Sequence, residues 1–148
     1  MTSKTAPTFD FDLPVDRFDD EIANSGRWEV IIDENGTKYG EFLITLQDDS
    51  NQRYKVAKKR YFKVNQHRLQ GLTEVERHID LFVNLPVLRG WKGIKMGGKD
   101  VDYSKEAAIA YLNHPKFYYV IEQLWPMSHD VLRFQKEGEV SKDEEAGN

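Results

Sequence analysis

The apolar residues of this chain change their spacing once along its length, and that change limits the fold more than any other feature. Between Trp28 and Leu46 they follow the two-residue period of a strand. Trp28, Val30 and Ile32 alternate with Glu29, Ile31 and Asp33, and Tyr39, Phe42, Ile44 and Leu46 carry a return strand. Asn35-Gly36 lies between the two runs and offers the positive φ that a tight turn needs. A hairpin alone is marginal in water, so the apolar face of this one has to find a helix.

From Gln52 onward the spacing is helical. Tyr54, Ala57, Tyr61 and Val64 recur at steps of three and four and form one stripe, with Lys58, Lys59 and Lys63 outside it. A strand reading of this segment is weaker, although Tyr54/Val56 and Phe62/Val64 also alternate. Gly71 punctuates. Thr73 with Glu76 three residues later has the pattern of a capping box, opening a second helix with Leu72, Val75, Ile79, Phe82 and Val83 as its core stripe. Pro86 kinks or ends it. Gly90 to Val101 reads as a tight connector, a Gly97-Gly98 turn and a short extended piece. Ser104 caps a third helix whose apolar side is Ala107, Ala108, Tyr111 and Leu112, and Asn113-His114-Pro115 stops it. A fourth begins near Lys116 and carries Phe117, Tyr118, Ile121, Leu124 and Trp125. Pro126 interrupts it, and Ser128 caps a last turn or two reaching Phe134. The fold class expected is therefore α+β, mainly α: a small helical domain of about four helices with an N-terminal β-hairpin at 28–46.

Charge divides the chain further. Residues 1–25 form an acidic arm with Phe9, Phe11, Leu13, Val15 and Phe18 sprinkled through it; residues 26–135 form the single α-rich domain; residues 136–148 read as an acidic, disordered tail. Residues 51–70 hold seven bases and no acid: Arg53, Lys55, Lys58, Lys59, Arg60, Lys63 and Arg68. A basic face of this kind is either solvated and neutralised by acidic ends or able to hold phosphates.

The residue types present leave little room for covalent chemistry. With no cysteine, thiolate metal sites, disulfides and a cysteine nucleophile are excluded. His67, His78, His114 and His129 lack the four-residue helical spacing of a metal pair. Gly93, Gly97 and Gly98 fall in no dinucleotide or phosphate-loop fingerprint, and no serine sits in a nucleophile elbow. Asp48/Asp49 and Asp100/Asp102 lie in polar turn contexts. The expectation is no enzyme, no cofactor and no metal. No apolar run reaches 18 residues and the first residues lack an apolar signal region, so neither a membrane partner nor secretion is expected. Tyr54, Tyr61 and Phe62 among the bases of 53–68 are compatible with stacking on unpaired nucleotides, but the chain is acidic overall, at −4, and nucleic acid is the lesser reading. The densest apolar feature is Phe117-Tyr118-Tyr119 with Trp125, too broad a stripe for one buried helix face.

Leu85-Pro86-Val87-Leu88-Arg89-Gly90-Trp91-Lys92-Gly93-Ile94 resembles the Gly/Asp–Trp–x–Gly–aliphatic segment of tail assembly chaperones from long-tailed bacteriophages. In those proteins a Gly-bearing turn and an aliphatic–x–Tyr–Ser helix start follow, matched here by Gly98 to Glu106. A short helix ended by proline comes next, matched by Ala107 to Pro115. The resemblance spans about 39–135 and is best over 85–115; the arm and the hairpin depart from it. It implies a mostly helical, non-enzymatic protein of the host cell cytoplasm. Such proteins bind the hydrophobic, helical tape-measure protein, keep it soluble until tail-tube subunits polymerise, and tend to self-associate. In this setting Trp91 and Tyr103 are expected as buried rivets. From the expected exposure, the partner-binding groove runs along Tyr111, Phe117, Tyr118, Tyr119, Leu124 and Trp125. The alternatives are a structural tail or head–tail joining subunit, and a nucleic-acid-binding module using 53–68.

Overall fold

A computed structural model describes residues 6–136. In chain order its elements are α1 (Asp20–Ser25), β1 (Arg27–Ile32), β2 (Lys38–Ile44), α2 (Gln52–Gln70), α3 (Glu74–Asn84), β3 (Leu88–Lys92), β4 (Lys95–Met96), β5 (Lys99–Asp100), α4 (Lys105–Asn113) and α5 (Tyr118–His129). Short 3-10 turns follow α4 at Pro115–Phe117 and α5 at Val131–Phe134. The fold is mixed α+β, with five α-helices rather than four among the described residues. The additional helix, α1, lies inside the acidic arm, where the Asp19 side chain accepts the Ile22 N–H at 2.9 Å as its N-cap. From residue 137 the acidic tail lies outside the described residues.

The hairpin forms where its alternation places it. Asp33 closes the turn by accepting from the backbone N–H groups of Asn35 and Thr37, both at 2.9 Å, and Gly36 takes φ +82°. The sheet, however, has three strands in the order β1-β2-β3, all antiparallel. The segment around Gly90-Trp91, expected as a connector, is the third strand. Its alternation was hidden by an irregularity: Gly90 pairs with Leu43 but Leu88 with Ile44, so Arg89 is the extra residue and Leu88 and Trp91 are both buried.

Phe42 and Ile44 of β2 face the core as expected, but on β1 the buried face is the opposite of the one expected. Phe42 lies across from Glu29 and Ile44 across from Arg27, so the inward face of β1 carries Arg27, Glu29 and Ile31. Trp28, Val30 and Ile32 point outward. Phe42 and Ile44 are fully buried and decide the matter, since a strand cannot bury both faces against one helical layer.

Behind the sheet, α3, α4 and α5 supply Ile79, Phe82, Val83, Ala108, Leu112, Val120, Ile121 and Leu124 to one continuous core with Ile31, Phe42, Ile44 and Leu88. The capping box of α3 is complete, Thr73 Oγ1 accepting from Glu76 N and Glu76 accepting from Thr73 N. Ser104 accepts from Ala107 N and starts α4. Gly97 and Gly98, with φ of +59° and +78°, form the two-residue loop between β4 and β5. Pro126 does not interrupt α5, which continues to His129. Glu122 and Pro126 are both exposed, so the carbonyl that loses its intrahelical donor faces water. Ser128 is no cap. It is fully buried, donating to Trp125 O at 2.7 Å and accepting from Gln47 Nε2 at 2.7 Å, while Asp130 caps the final turn.

Candidate functional site

The aromatic residues at the α4–α5 junction are laid out by two helix starts. His114 ends α4 in extended backbone and accepts from Lys116 N, and the 3-10 turn that follows sets Phe117 directly over the last turn of α4. Phe117 thereby stacks on Tyr111, with ring centroids 4.2 Å apart and planes 9° from parallel. Tyr111 in turn meets Trp91 edge-on at 5.5 Å. Trp91 donates its indole N–H to Val101 O at 2.8 Å and meets Tyr103 edge-on at 5.3 Å, while Tyr103 donates its hydroxyl to Leu88 O at 2.8 Å. Trp91 and Tyr103 thus rivet β3 to the segment that leads into α4.

The six residues expected on a partner groove divide into three groups. Tyr111 and Leu124 are in the core. Phe117, Tyr119 and Trp125 are half-buried, each against another ring: Phe117 on Tyr111, Tyr119 on Tyr39 at 5.6 Å, and Trp125 on His78 at 4.0 Å and nearly parallel. Tyr118 is exposed, at 44%, and lines a small groove with Val75, Ile79, Leu112 and Pro115. Val75, expected in the core stripe of α3, stands at its rim.

Burial shapes the titration of these groups. The Tyr111 phenol is pushed up to about 12, chiefly by desolvation, and its hydroxyl has no hydrogen-bond partner among the described residues. Burial also lowers the pKa of His78, the neighbouring Glu74 opposing it only in part, so the ring on Trp125 is held toward its neutral form.

The basic helix α2 is joined to the body along one edge. Tyr54, Ala57 and Tyr61 are half-buried and Leu69 is its one buried residue, while Val64, expected in the same stripe, is 78% exposed. The stripe veers because Arg68, rather than Val64, faces α3: Asp80 accepts from both Tyr61 and Arg68. Burial raises the Asp80 pKa, but the hydrogen bonds from Arg68 and Tyr61 and the charge of Arg68 together outweigh it, and the carboxyl lies below its ordinary value. Lys58 pairs with Asp49. Among the described residues Arg53, Lys55, Lys59, Arg60 and Lys63 make no ion pair, and Val56, Phe62 and Val64 are exposed between them. Also among the described residues, no three His, Asp or Glu side chains lie close enough to hold a metal ion, and no helix is long and apolar enough to cross a membrane.

Sequence reasoning missed the outer face of the sheet. Trp28, Val30 and Ile32 are 40–52% exposed there, with the Lys92 ammonium 4.0 Å above the Trp28 ring. The signal was Ile31, an apolar residue in the supposedly polar register of β1. Compared with known protein families, with curated proteins and with solved structures, the chain matches none of them.

Proposed function

We propose that this chain is a non-enzymatic tail assembly chaperone of a long-tailed bacteriophage, binding the helical tape-measure protein in the host cytoplasm and keeping it soluble until tube subunits polymerise around it. The observation that carries the reading is the packing of Leu85 to Glu106, within the stretch 85–115 on which the resemblance is best. Its Trp and its Tyr lock β3 to the segment that leads into α4, and its Ser opens that helix. Two surfaces suit a helical client. The Tyr118 groove accepts an aliphatic side chain, and α2 offers bases interleaved with Val56, Phe62 and Val64 to a helix with apolar and acidic stripes.

The test is co-expression with the large helical tail protein encoded beside it. That protein should become soluble and co-purify with this chain, and Tyr118→Asp should abolish the rescue while leaving the melting temperature unchanged. A client that stays insoluble beside the intact chain refutes the chaperone reading. Stoichiometric recovery of this chain in purified virions makes it a structural tail or head–tail subunit instead.

A further inference from the structure

The acidic arm matches an unfinished edge of the sheet. Phe9, Phe11, Leu13 and Val15 occupy every second position, with Asp10, Asp12, Pro14 and Asp16 between them. The backbone there is neither helix nor paired strand, and the Phe9 and Phe11 rings stack with centroids 5.7 Å apart, which puts them on one face. In a strand this period sends the four apolar side chains to one side and the acids to the other. Among the described residues nothing covers the apolar side: the four residues are 70–89% exposed.

The first strand supplies the complement. β1 has β2 on one side only, and among the described residues no backbone hydrogen bond from Arg27–Ile32 leads elsewhere. An unpaired edge of this kind is a template for another strand. Its outer face carries Trp28, Val30 and Ile32. Its inner face carries Arg27, and Arg133 reaches Glu29 beside it at 3.1 Å; both arginine side chains stay partly open to water.

We propose that the arm of one copy adds to the β1 edge of a second copy as a fourth strand. Phe9, Phe11, Leu13 and Val15 then continue the apolar outer face, and Asp10, Asp12 and Asp16 fall on the side of Arg27 and Arg133. Pro14 sets the orientation. It has no N–H, so it faces the new free edge while the odd-numbered residues bond to β1. The lengths agree, since residues 9–15 span roughly 23 Å and the six residues of β1 roughly 20 Å. The arm is not placed to serve its own β1. Asp19 N donates to Phe134 O, Gln135 Nε2 donates to Arg17 O, and residues 13–18 run along α1 and the first turn of α2. Reciprocal exchange closes a two-fold dimer. The contact is a strand ladder: the free backbone groups of the β1 edge gain partners, and side chains on each face meet their neighbours across the new strand pair. The inference is independent of the chaperone reading.

Light scattering on the full chain at micromolar concentration should give twice the chain mass of 17.3 kDa. Phe11→Asp/Leu13→Asp, and separately Val30→Asp, should give the single mass with unchanged circular dichroism and melting. Because the sequence has no cysteine, Leu13→Cys and Val30→Cys are unique handles. Mixed as separate proteins, they should join through a short bis-maleimide into one heterodimer. A peptide of residues 6–17 added to the Phe11→Asp/Leu13→Asp variant should shift the amide resonances of 27–32. A monomeric full chain overturns the proposal, as does a larger mass that survives in the arm variant. So do a cross-link formed only within a doubly substituted chain, and peptide shifts confined to α2.

Discussion

Replacing Tyr111 by Phe should make the protein more stable, although most core substitutions do the reverse. The ring is held by three others, stacked on Phe117 at 4.2 Å, edge-on to Trp91 at 5.5 Å and tilted against Phe42 at 6.2 Å, and Tyr111→Phe keeps all of these contacts. What it removes is a buried hydroxyl that has no hydrogen-bond partner among the described residues. A desolvated, unpaired polar group costs about 1–3 kcal/mol, and the void left by one oxygen returns part of that. A net gain of about 1 kcal/mol in a domain of this size raises the melting temperature by about 2–4 °C. Differential scanning calorimetry at pH 7 measures it directly.

The same substitution has a signature in alkali. Burial holds the Tyr111 phenol near 12 in the fold, against the ordinary value of 10 for an unfolded tyrosine. A group whose folded pKa is raised contributes fully below its unfolded pKa and loses that contribution as pH climbs through the folded one. The wild type should therefore lose stability faster than Tyr111→Phe between about pH 10 and pH 12. A lower melting temperature for Tyr111→Phe at pH 7, with the two alkaline profiles parallel, refutes the reasoning and means that the hydroxyl is satisfied.

Leu124→Ala empties a fully buried position and should cost about 2–5 kcal/mol, read as a large fall in the chemical-denaturation midpoint. Thr73→Ala breaks one half of the α3 capping box and should cost about 1 kcal/mol in the same assay. His78 has a lowered pKa in the fold, so the stability it contributes is present above its ordinary value of 6.5 and is lost as pH falls through the folded one. Melting temperatures should drop on acidification below about pH 6.5 in the wild type and drop less in His78→Phe, which preserves the stack on Trp125. Asp80→Asn should remove α2's carboxylate anchor and loosen that helix without unfolding the body, detectable as faster amide exchange confined to 52–70.

The sequence was most informative where one local rule acted alone. Thr73 with Glu76, Ser104 before Ala107, Asn35-Gly36 and Gly97-Gly98 each mark a cap or turn that forms as expected, because the chemistry is complete within four residues. It was least informative where a partner distant in sequence decides. β3 is five residues with an irregularity at Arg89, and only its pairing to β2 makes it a strand. Pro126 ends a helix by local rules, yet packing of Leu124 and the buried Gln47–Ser128 bond on either side of it keep α5 continuous. The candidate surface was misjudged for a related reason. Counting aromatic residues around α5 takes no account of rings that stack on other elements, and Tyr39, His78 and Trp91 take up most of what had looked exposed.

The choice of face on β1 links these cases to what the molecule can bind. Ile31 points inward because Phe42 and Ile44 on the neighbouring strand do, and the inward face is then completed by polar groups, with Glu29 accepting from Arg133 and Arg27 donating to Arg133 O at 2.7 Å. A strand with Trp, Val and Ile in one register and Arg, Glu and Ile in the other would bury the first register if it packed alone. Here the β2 partner overrules that preference and leaves the more apolar face of β1 in water. Exposed area of that kind carries a standing free-energy cost of about 25 cal/mol per Å² until something covers it. The chain itself carries a segment with the matching period and four exposed apolar side chains. Phe11→Asp/Leu13→Asp therefore tests more than a contact: pairing at the edge sets the arm's apolar side chains against the flanks of Trp28, Val30 and Ile32, and a variant that keeps the mass of the native protein means that this face finds no neighbour there.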